Sequence, residues 1–344
     1  MVHRSPQRIL IVMPNHMGDS ILSLSLVHLA KNYYPGVLVD VLAPANFAAI
    51  LILCPLIHQI IPYDRDQHKT WWKRYQLGKS LSLHGKYDLA ICLAQSIRGA
   101  LIAKPASQYQ IGYRRDGYEY LLSHHYTLTQ IPKGIHYAET QAYLLSLYAQ
   151  KPFPKKVFIP FEKPRNSSPN SFSLKKKVEH FLLVLGTKVP SRQIPRNKAV
   201  SLVQHLLDSF PKAHFLLIGE QRAASYLQPI AQAFSSHPRF HNYVNKTTLM
   251  ELAHLCAMSH GMVAVDSGPV HLADALGLPV VSLMGTCLPY EYGPFHKHNS
   301  KALVSKRLSC IPCGEEYCPY YTSECLIDID NVAISQALKD ISTS

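Results

Sequence analysis

The sequence contains little charge and no long hydrophobic run. Only 17% of its 344 residues are charged, and this low charge argues against a disordered tail protein. The longest apolar run, Ala48 to Leu53, ends at Cys54-Pro55 and is far shorter than the roughly 20 residues that cross a bilayer. The apolar run from Ile9 to Pro14 is too short for a secretory signal and is typical of a first β-strand. We therefore expect a cytoplasmic protein.

Acidic residues are scarce, since 22 Asp and Glu stand against 35 Lys and Arg and leave a net charge of +13. A soluble protein this basic usually binds nucleic acid, anionic lipid or a phosphorylated substrate. Two nucleotide-binding motifs are also missing: no G-x-G-x-x-G follows the first apolar run, and no G-x-x-x-x-G-K-[ST] occurs anywhere. A dinucleotide dehydrogenase and a P-loop NTPase thereby lose their main support.

Two α/β halves follow from the length and the pattern. The chain is too long for one compact α/β core and suits two domains of about 150 residues each. Continuous apolar runs, typical of parallel strands covered on both faces, open the two halves at Arg8–Met13 and Phe181–Leu185. The stretch Phe161–Ser173 is rich in Pro, Ser and Asn and has the composition of a linker. The predicted domains are residues 1–165 and 175–330, followed by a C-terminal helix at 331–344.

Further strands are expected in both halves, and they direct attention to the loops that follow them. The predicted strands are residues 37–42, 57–61, 89–93 and 110–113 in the first half, and 214–218, 262–265 and 280–283 in the second. Ligands of parallel sheets bind at the carboxyl ends of the strands. The loops after strands are therefore the first candidates for a functional site.

The loop after the first strand contains Met17-Gly18-Asp19. Gly18 permits a tight turn, and Asp19 then presents a carboxylate at the start of a helix. Asp19 is either the helix N-cap, a position that Asp fills well, or a general base that removes a proton from an acceptor hydroxyl. The spacing alone leaves both interpretations open.

A second loop, Val263–His271, predicts a strand that ends at Asp266 and a helix that opens after Gly268. The backbone N–H groups of Ser267 and Gly268 would lie at the positive end of that helix, which is an anion-binding arrangement. The alternative is an ordinary strand-to-helix turn capped by Asp266 or Ser267.

A third loop, Gly186–Pro195, follows the first strand of the second half. Its cations Lys188 and Arg192, with Arg196 just beyond, would neutralise a diphosphate, and Arg suits a bidentate grip of phosphate. The alternative is a solvated basic loop. The position of the loop directly after a strand favours the binding interpretation.

Taken together, these loops resemble glycosyltransferase family nine, the ADP-heptose:lipopolysaccharide heptosyltransferases, and in particular its heptosyltransferase II type. The strongest matches are Met17-Gly18-Asp19 and Val265–Gly277 (VDSGPVHLADALG), and weaker ones are Ile111–Arg114 and Arg192–Pro195. The resemblance extends over nearly the whole chain. It implies an α/β GT-B fold, in which two Rossmann-like domains face each other across a cleft.

The resemblance also implies an activity: inverting transfer of heptose from ADP-heptose to the inner core of lipopolysaccharide, with Asp19 as the catalytic base and no cofactor required. The C-terminal domain would bind the donor and the N-terminal domain the lipopolysaccharide core or lipid A acceptor. The implied donor-binding residues are Thr187, Lys188, Arg192, Glu220, Asp266, Ser267, Gly268 and His271. Arg192 stands where the family usually has Lys, and Ile194 replaces the family's aromatic residue. The candidate acceptor anchors are Arg98, Arg114 and Arg115, and the alternative for each is a solvated surface residue.

Both tryptophans of the chain, Trp71 and Trp72, stand among cations in the segment His68–Tyr75. This mixture suits an anionic membrane interface, where a lipid acceptor resides. The alternative is an amphipathic helix with the tryptophans packed inward. We expect peripheral contact with the inner membrane from the cytoplasmic side.

The eight cysteines fall into two sets. Four are scattered in apolar surroundings that are typical of buried thiols, and these are Cys54, Cys92, Cys256 and Cys287. The other four lie within sixteen residues, and these are Cys310, Cys313, Cys318 and Cys325. Four thiolates at short spacing suit a structural zinc or iron ion, and the alternative is a set of reduced, unliganded thiols.

Two other functions remain open from the sequence. One is a relative in the same family that glycosylates a protein or uses another nucleotide sugar. The other is a basic, metal-containing nucleic-acid-binding protein, although no nucleic-acid partner is expected from the loops. Strongly salt-dependent affinity for nucleic acid would identify the latter.

Overall fold

The structure is a computed structural model that describes residues 5–83, 85–115, 117–165, 178–296 and 299–342. The chain divides into two compact units, Met1–Glu162 and Lys163–Ser344. Residues 166–173 of the predicted linker lie outside the described residues. In the described part of the chain, no helix is both long and apolar enough to cross a membrane.

Unit 1 contains a six-stranded parallel sheet in the order β3-β2-β1-β4-β5-β6. Its strands are β1 Arg8–Val12, β2 Leu38–Pro44, β3 Gln59–Tyr63, β4 Tyr87–Cys92, β5 Ser107–Tyr113 and β6 His124–Tyr126. Its α-helices are α1 Met17–Leu22, α2 Leu24–Tyr33, α3 Ala45–Ala48, α4 Trp71–Leu81, α5 Ile97–Ala106 and α6 Tyr137–Ala149. Short 3-10 helices cover Ala49–Leu53, Tyr118–Leu121 and Leu128–Gln130.

Unit 2 repeats the design with a six-stranded parallel sheet in the order β12-β11-β10-β7-β8-β9. Its strands are β7 His180–Val184, β8 His214–Gly219, β9 Phe240–Val244, β10 Gly261–Val265, β11 Val280–Met284 and β12 Ser300–Val304. Its α-helices are α7 Arg196–Ser209, α8 Ala224–Ala233, α9 Leu249–Met258, α10 Gly268–Ala275, α11 Pro289–Tyr292, α12 Glu324–Ile327 and α13 Asn331–Ser342. Short 3-10 helices cover Pro190–Arg192 and Gln221–Ala223.

The two sheets have the same strand order when each is numbered from its own first strand, and that order is the 3-2-1-4-5-6 of Rossmann folds. The order reverses between β1 and β4 in unit 1, and between β7 and β10 in unit 2. Connections from these central strands leave toward opposite faces of their sheet, so a crevice forms at the carboxyl ends. The fold thus gives each unit one preferred place for a ligand.

The central strands form because their side chains are apolar and fully covered. The last four residues of β1 are buried, as are all five residues of β7 and of β10. Each unit therefore has its own core. Leu10, Val12 and Ala90 belong to one cluster in unit 1, and Phe181 and Val263 belong to another in unit 2.

The helical segment that contains Asp19 is divided in two. Ser23 separates α1 from α2. The Ser23 hydroxyl donates to the Asp19 carbonyl at 2.6 Å, and the Ser23 N–H donates to the same oxygen at 2.9 Å. A serine that bonds back to the preceding turn competes with the regular helix pattern, which explains the interruption.

A buried carboxylate ties α10 to the segment before β12. Asp274 is 2% exposed, and its Oδ2 accepts hydrogen bonds from the N–H groups of Phe295 and His296 at 2.8 and 3.0 Å. The His296 ring lies 3.1 Å from the same oxygen, and the Ser300 hydroxyl donates to Oδ1 at 3.0 Å. Burial works to raise the pKa of Asp274, but these hydrogen bonds outweigh it and hold the pKa below its ordinary value.

The Asp274–His296 pair predicts a pH-dependent stability. The hydrogen bond to Asp274 raises the pKa of His296 above its ordinary value, so the protonated ring stabilises the fold at low pH. This contribution is lost as the pH rises through the raised pKa. We expect His296→Gln to lower the melting temperature more at about pH 6 than at about pH 9. His254→Gln on α9 is the control, and an equal loss at both pH values would contradict the assignment.

Candidate functional site

The carboxyl ends of four neighbouring strands in unit 2 carry the predicted donor residues. Loops after β7 and β8 hold Thr187 to Arg192 and Glu220, and the loop after β10 holds Asp266 to Gly268. The loop after β11 adds Gly285-Thr286-Cys287. Because these strands are adjacent in the sheet, their loops converge on the place where the strand order reverses.

A buried ion pair lies at the centre of this site. Arg192 Nη1 lies 3.1 Å from Asp266 Oδ2, and only 7% of the Asp266 side chain is exposed against 31% of Arg192. Arg192 Nη2 also donates to Cys287 Sγ at 3.4 Å. The third guanidinium nitrogen, Nε, is buried without a hydrogen-bond partner among the described residues. Two loops therefore hold the guanidinium at the carboxyl end of the sheet, and about a third of the Arg192 side chain is exposed to solvent.

The electrostatics of the pair are set by burial. Burial raises the pKa of the Asp266 carboxyl, while the charge of Arg192 and a hydrogen bond with Cys287 work in the opposite direction. Burial also raises the pKa of the Cys287 thiol, and the Arg192 charge again opposes the rise. Arg192 is thus the cation that makes an ionised Asp266 tolerable at this depth.

The N-terminus of α10 lies next to this pair in the chain. Ser267 is its N-cap in extended conformation, but the Ser267 hydroxyl donates to the Val265 carbonyl at 2.9 Å and does not cap the helix. The alternative of a side-chain-capped turn is therefore wrong. Pro269 in the first turn has no N–H, and the Val270 N–H donates to the Ser267 carbonyl at 3.1 Å, so Ser267 and Gly268 supply the backbone donors for a ligand. His271 follows on the same helix and is 6% exposed.

The remaining donor-side residues lie at the edge of the same loops. Thr187 Oγ1 accepts from the Val189 N–H at 3.3 Å. Lys188 Nζ lies 3.3 Å from Glu220 Oε1, and about half of each side chain is exposed. Arg196, also expected near a diphosphate, instead donates to the Ser225 carbonyl at 3.4 Å.

In unit 1, Asp19 follows β1 and is half-buried in the first turn of α1. The N-cap of α1 is His16, so the interpretation of Asp19 as the N-cap is wrong. The expectation that Gly18 makes a tight turn is also wrong, because Gly18 is a buried residue inside the helix. The loop is held instead by Ser20, whose hydroxyl donates to the Pro14 carbonyl at 3.1 Å.

The predicted acceptor anchors follow β4 and β5, the next two strands of the same sheet. Arg98 lies in the first turn of α5 and is exposed. Arg114 Nε lies 3.3 Å from the Glu119 carboxylate, with 61% of the arginine side chain exposed. Arg115 Nη1 donates to Gln95 Oε1 at 3.3 Å. Arg98 therefore follows β4, the strand next to β1, and Arg114 and Arg115 follow β5, one strand further from β1.

The sequence patterns missed two features of these sites. Arg74 on α4 is only 9% exposed, and both Arg74 and Arg98 are electrostatic neighbours of the buried Tyr63. Burial lowers the pKa of Arg74, and the charge of Arg98 lowers it further. Cys287 was expected to be one of four buried thiols, but it is half-buried beside Arg192. Its position directly after β11 was the available signal.

The tryptophans do not pack inward. Trp71 is 63% exposed and Trp72 is 50% exposed. The two rings meet edge to face at 5.5 Å, and Trp72 stacks on Tyr75 at 5.9 Å. The N-terminal turns of α4 therefore present an aromatic surface to solvent. Exposed lysines flank it at positions 69, 73 and 79.

The predicted metal site at the C-terminal cysteines is not supported. Among the described residues, no three or more His, Cys, Asp or Glu side chains are arranged to hold a metal ion. The four thiols, Cys310, Cys313, Cys318 and Cys325, instead line a cavity of about 320 Å³. A tetrahedral site needs all of its sulfurs at about 2.3 Å from one ion. Burial raises the pKa of Cys325 to about 11, and the nearby thiols add to this rise, so at neutral pH this group is a thiol.

The chain is similar to known proteins over most of its length. The profile of glycosyltransferase family 9 (heptosyltransferase) matches residues 74–323. The lipooligosaccharide heptosyltransferase 2 of Haemophilus influenzae is 27% identical over 93% of this chain and 95% of its own. The structure of E. coli ADP-heptose LPS heptosyltransferase II is similar with a TM-score of 0.80, at 24% identity and 98% coverage of both chains. E. coli heptosyltransferase WaaC with ADP has a TM-score of 0.75, at 20% identity, and covers 97% of this chain and 99% of its own.

Removing the cation should expose the cost of the buried carboxylate. We expect Arg192→Ala to destabilise the protein by about 2 kcal/mol at pH 8, because Asp266 is left without its opposite charge. The loss should shrink as the pH falls, since Asp266 then takes up a proton. The measurement is the free energy of unfolding from chemical denaturation, at pH 8 and at a lower pH. In an Asp266→Asn background the same substitution should cost little, and an undiminished loss there would contradict the ion-pair assignment.

Proposed function

The chain belongs to glycosyltransferase family 9 (heptosyltransferase), and on that premise we propose that it transfers heptose from ADP-heptose to the inner core of lipopolysaccharide. The named relatives support this activity, since the similar curated proteins are lipooligosaccharide and lipopolysaccharide heptosyltransferases. Support for an adenosine diphosphate donor comes from the similar E. coli enzyme, whose structure contains ADP.

The observation that carries the proposal is the cation beside a helix N-terminus where the unit 2 sheet reverses its strand order. Arg192 is held against Asp266 at 3.1 Å, and Ser267 and Gly268 open α10 immediately after Asp266. A guanidinium and backbone N–H groups are the donors that a diphosphate requires. Asp266 itself is too buried and too negative to face the phosphate, so its role is to hold Arg192 in place.

The chemistry is an inverting displacement at the anomeric carbon of the heptose. The acceptor hydroxyl oxygen forms the new bond to that carbon while the bond from the carbon to the diphosphate oxygen breaks. ADP leaves with the electron pair, and negative charge grows on its terminal phosphate. Arg192 and the first N–H groups of α10 stabilise that growing charge more than the charge of the ground state, which lowers the barrier.

Asp19 is the proposed base in this step. Its carboxylate receives the acceptor proton as the oxygen attacks, and it lies in the first turn of α1 after the central strand β1. The positive end of a helix favours an ionised carboxylate, and ionisation is what a base requires. Asp19 belongs to unit 1 and Arg192 to unit 2, so each unit supplies one of the two proposed groups.

The other donor-side residues surround the same loops. Thr187 and Lys188 follow β7, and Glu220 follows β8 at hydrogen-bonding range of Lys188. Because about half of each side chain is exposed, separating Lys188 from Glu220 to admit a nucleotide costs little free energy. We assign Glu220 to the ribose hydroxyls and His271 to the donor side of α10.

The acceptor is expected to bind unit 1 through its cations. Arg98, Arg114 and Arg115 follow β4 and β5, and the buried Arg74 adds a charge whose electrostatic neighbours include Arg98. Arg74 is buried, so its charge is poorly solvated, and a bound anion would offset its repulsion with Arg98. The carboxylates and phosphates of inner-core sugars have the matching charge.

Peripheral membrane contact is the remaining part of the proposal. Trp71 and Trp72 are exposed at the start of α4, with lysines around them. Aromatic rings enter the interfacial region of a bilayer, and each nearby lysine adds about 1 kcal/mol at an anionic surface. This surface would hold the enzyme where its lipid-linked acceptor is found.

Two alternatives are distinguished by substrate. A protein acceptor or another nucleotide sugar would keep the same donor-site chemistry and change only the specificity. Membership of glycosyltransferase family 9 (heptosyltransferase) favours transfer over nucleic-acid binding. A panel of ADP-heptose, ADP-glucose, UDP-sugars and GDP-sugars with heptose-deficient core lipid decides among the donors.

Replacing the proposed base should separate catalysis from binding. We expect Asp19→Ala and Asp19→Asn to lower turnover with ADP-heptose by about 100-fold or more. Binding of ADP, measured by calorimetry, should remain near that of the unaltered protein. Asp66→Ala, at an exposed acidic residue of unit 1, is the control. Near-normal turnover in both Asp19 variants would rule out the base assignment.

The membrane contact is tested with vesicles. Trp71→Ala with Trp72→Ala should weaken binding to vesicles that contain anionic lipid about tenfold or more, because two interfacial rings are lost. Both side chains are exposed, so the fold should persist. Tyr120→Ala removes an aromatic ring that is 85% exposed elsewhere in unit 1 and should leave binding unchanged. Equal binding by all three proteins would exclude α4 as the contact surface.

A further inference from the structure

The loop that carries Arg192 is held from behind by a segment distant in sequence. Ser191, in the 3-10 turn Pro190–Arg192, is only 4% exposed. Its hydroxyl donates to the Glu315 carbonyl at 2.5 Å, and its N–H donates to the Glu316 carbonyl at 3.1 Å. Glu315 and Glu316 belong to the segment 308–325 that contains the four clustered cysteines. We call this segment the cysteine-rich loop.

The cysteine-rich loop also holds the second partner of Arg192. The Gly314 N–H donates to the Thr286 carbonyl at 2.9 Å, and Thr286 is 2% exposed. Thr286 directly precedes Cys287, whose sulfur accepts a hydrogen bond from Arg192. Residues 314 to 316 therefore hydrogen-bond to two segments. One is the Pro190–Arg192 turn, which carries Arg192, and the other is Thr286-Cys287, which contacts its guanidinium.

Packing alone does not fix these segments. A cavity of about 320 Å³ lies against Ser191, Gly285 and Thr286, and the cysteine-rich loop forms its other wall. Side chains beside an opening of this size lose part of the contact that normally holds a core residue in one place. The hydrogen bonds from Ser191 to Glu315 and Glu316 therefore hold the Pro190–Arg192 turn to the cysteine-rich loop.

The position of Arg192 depends on those links. The Arg192 N–H closes the 3-10 turn on the Val189 carbonyl at 3.0 Å, and its Nε is buried without a hydrogen-bond partner among the described residues. A turn of three residues has few internal bonds of its own. Without external anchoring, the long arginine side chain would sample several rotamers and lose its fixed orientation.

We infer that Ser191 is a positioning residue of the donor site: through it, the cysteine-rich loop fixes the Pro190–Arg192 turn and holds Arg192 against Asp266 and Cys287. The inference rests on the proposed function, in which Arg192 binds the donor diphosphate. It also gives the cysteine-rich loop a role that needs no metal ion. Backbone groups of the loop, the Gly314 N–H and the Glu315 and Glu316 carbonyls, make these hydrogen bonds, and its thiols do not take part in them.

The experiment compares variants that differ in one hydroxyl. Ser191→Ala and Ser191→Val lose the donor to the Glu315 carbonyl, whereas Ser191→Thr retains it, and the adjoining cavity leaves room for the larger residues. Ser309→Ala, an exposed serine that lines the same cavity, is the matched control. If Ser191→Ala does not fold, the Thr and Val pair still isolates the hydroxyl.

Two binding readouts are expected to change together. Loss of the hydroxyl should weaken ADP binding and raise the KM for ADP-heptose by about five- to tenfold, as expected for one hydrogen bond. Ser191→Thr and Ser309→Ala should behave like the unaltered protein. In an Arg192→Ala background, Ser191→Ala should have no further effect on ADP binding, because its action passes through Arg192. The same loss in both backgrounds would overturn the inference.

A third readout does not depend on the nucleotide. Arg192 covers Cys287 Sγ, so loosening the turn should accelerate alkylation of Cys287 by iodoacetamide severalfold, as followed by peptide mass spectrometry. Faster alkylation in a protein that binds no ADP would support the positioning role and reject the proposed function. Unchanged alkylation and unchanged ADP affinity in Ser191→Ala and Ser191→Val, in a protein that does bind ADP, would reject the positioning role alone.

Discussion

A carboxylate taken out of water at the end of a central strand sets the design of unit 2. Asp266 is 5% exposed, and an ion at that depth is tolerable only with an opposite charge beside it. Arg192 supplies that charge, and in doing so it loses its freedom to point elsewhere. The buried acid thus converts a flexible cation into a fixed one, which is the property that a phosphate-binding group needs. Around this pair, the helix N-terminus and the neighbouring loops add donors of their own.

Unit 1 uses the same strand order for a different purpose. Its central strand β1 leads to Asp19, and the next two strands on one side, β4 and β5, lead to Arg98 and to Arg114 and Arg115. Here the acid lies in the first turn of a helix and is half-buried, so it is nearer to solvent than Asp266. The contrast between Asp19 and Asp266 is one of burial. A carboxylate near solvent suits proton transfer, and a buried carboxylate paired with a guanidinium suits holding that guanidinium in one orientation.

The sequence predicted what depends on local pattern. Buried parallel strands have continuous apolar runs, so β1, β7 and β10 could be located to within a residue or two, and the loops after them contained the candidate residues. The strands β6 and β9 lie at sheet edges and contain polar residues such as His124 and Asn242, so no apolar run indicated them. The interruption at Ser23 depends on one side-chain hydrogen bond, which a hydrophobic pattern does not reveal.

Long-range contacts were beyond the reach of pattern. The contact between Ser191 and Glu315 joins residues 124 positions apart, and no local sequence pattern indicates that these two segments meet. The cysteine spacing suggested a metal because thiol counts are visible in sequence, whereas the directions of the sulfur atoms are not. The exposure of Trp71 was equally undecided, because an amphipathic helix can bury or present its aromatic residues.

The repeated strand order has a consequence for how such an enzyme diversifies. Each unit closes its own apolar cluster, so substitutions in the loops of one sheet need not disturb the packing of the other. Selection can therefore change the unit proposed to bind the acceptor while the unit proposed to bind the donor stays constant. Enzymes with this fold can acquire new acceptor specificities through substitutions in one unit, while the residues that stabilise the leaving group in the other unit are retained.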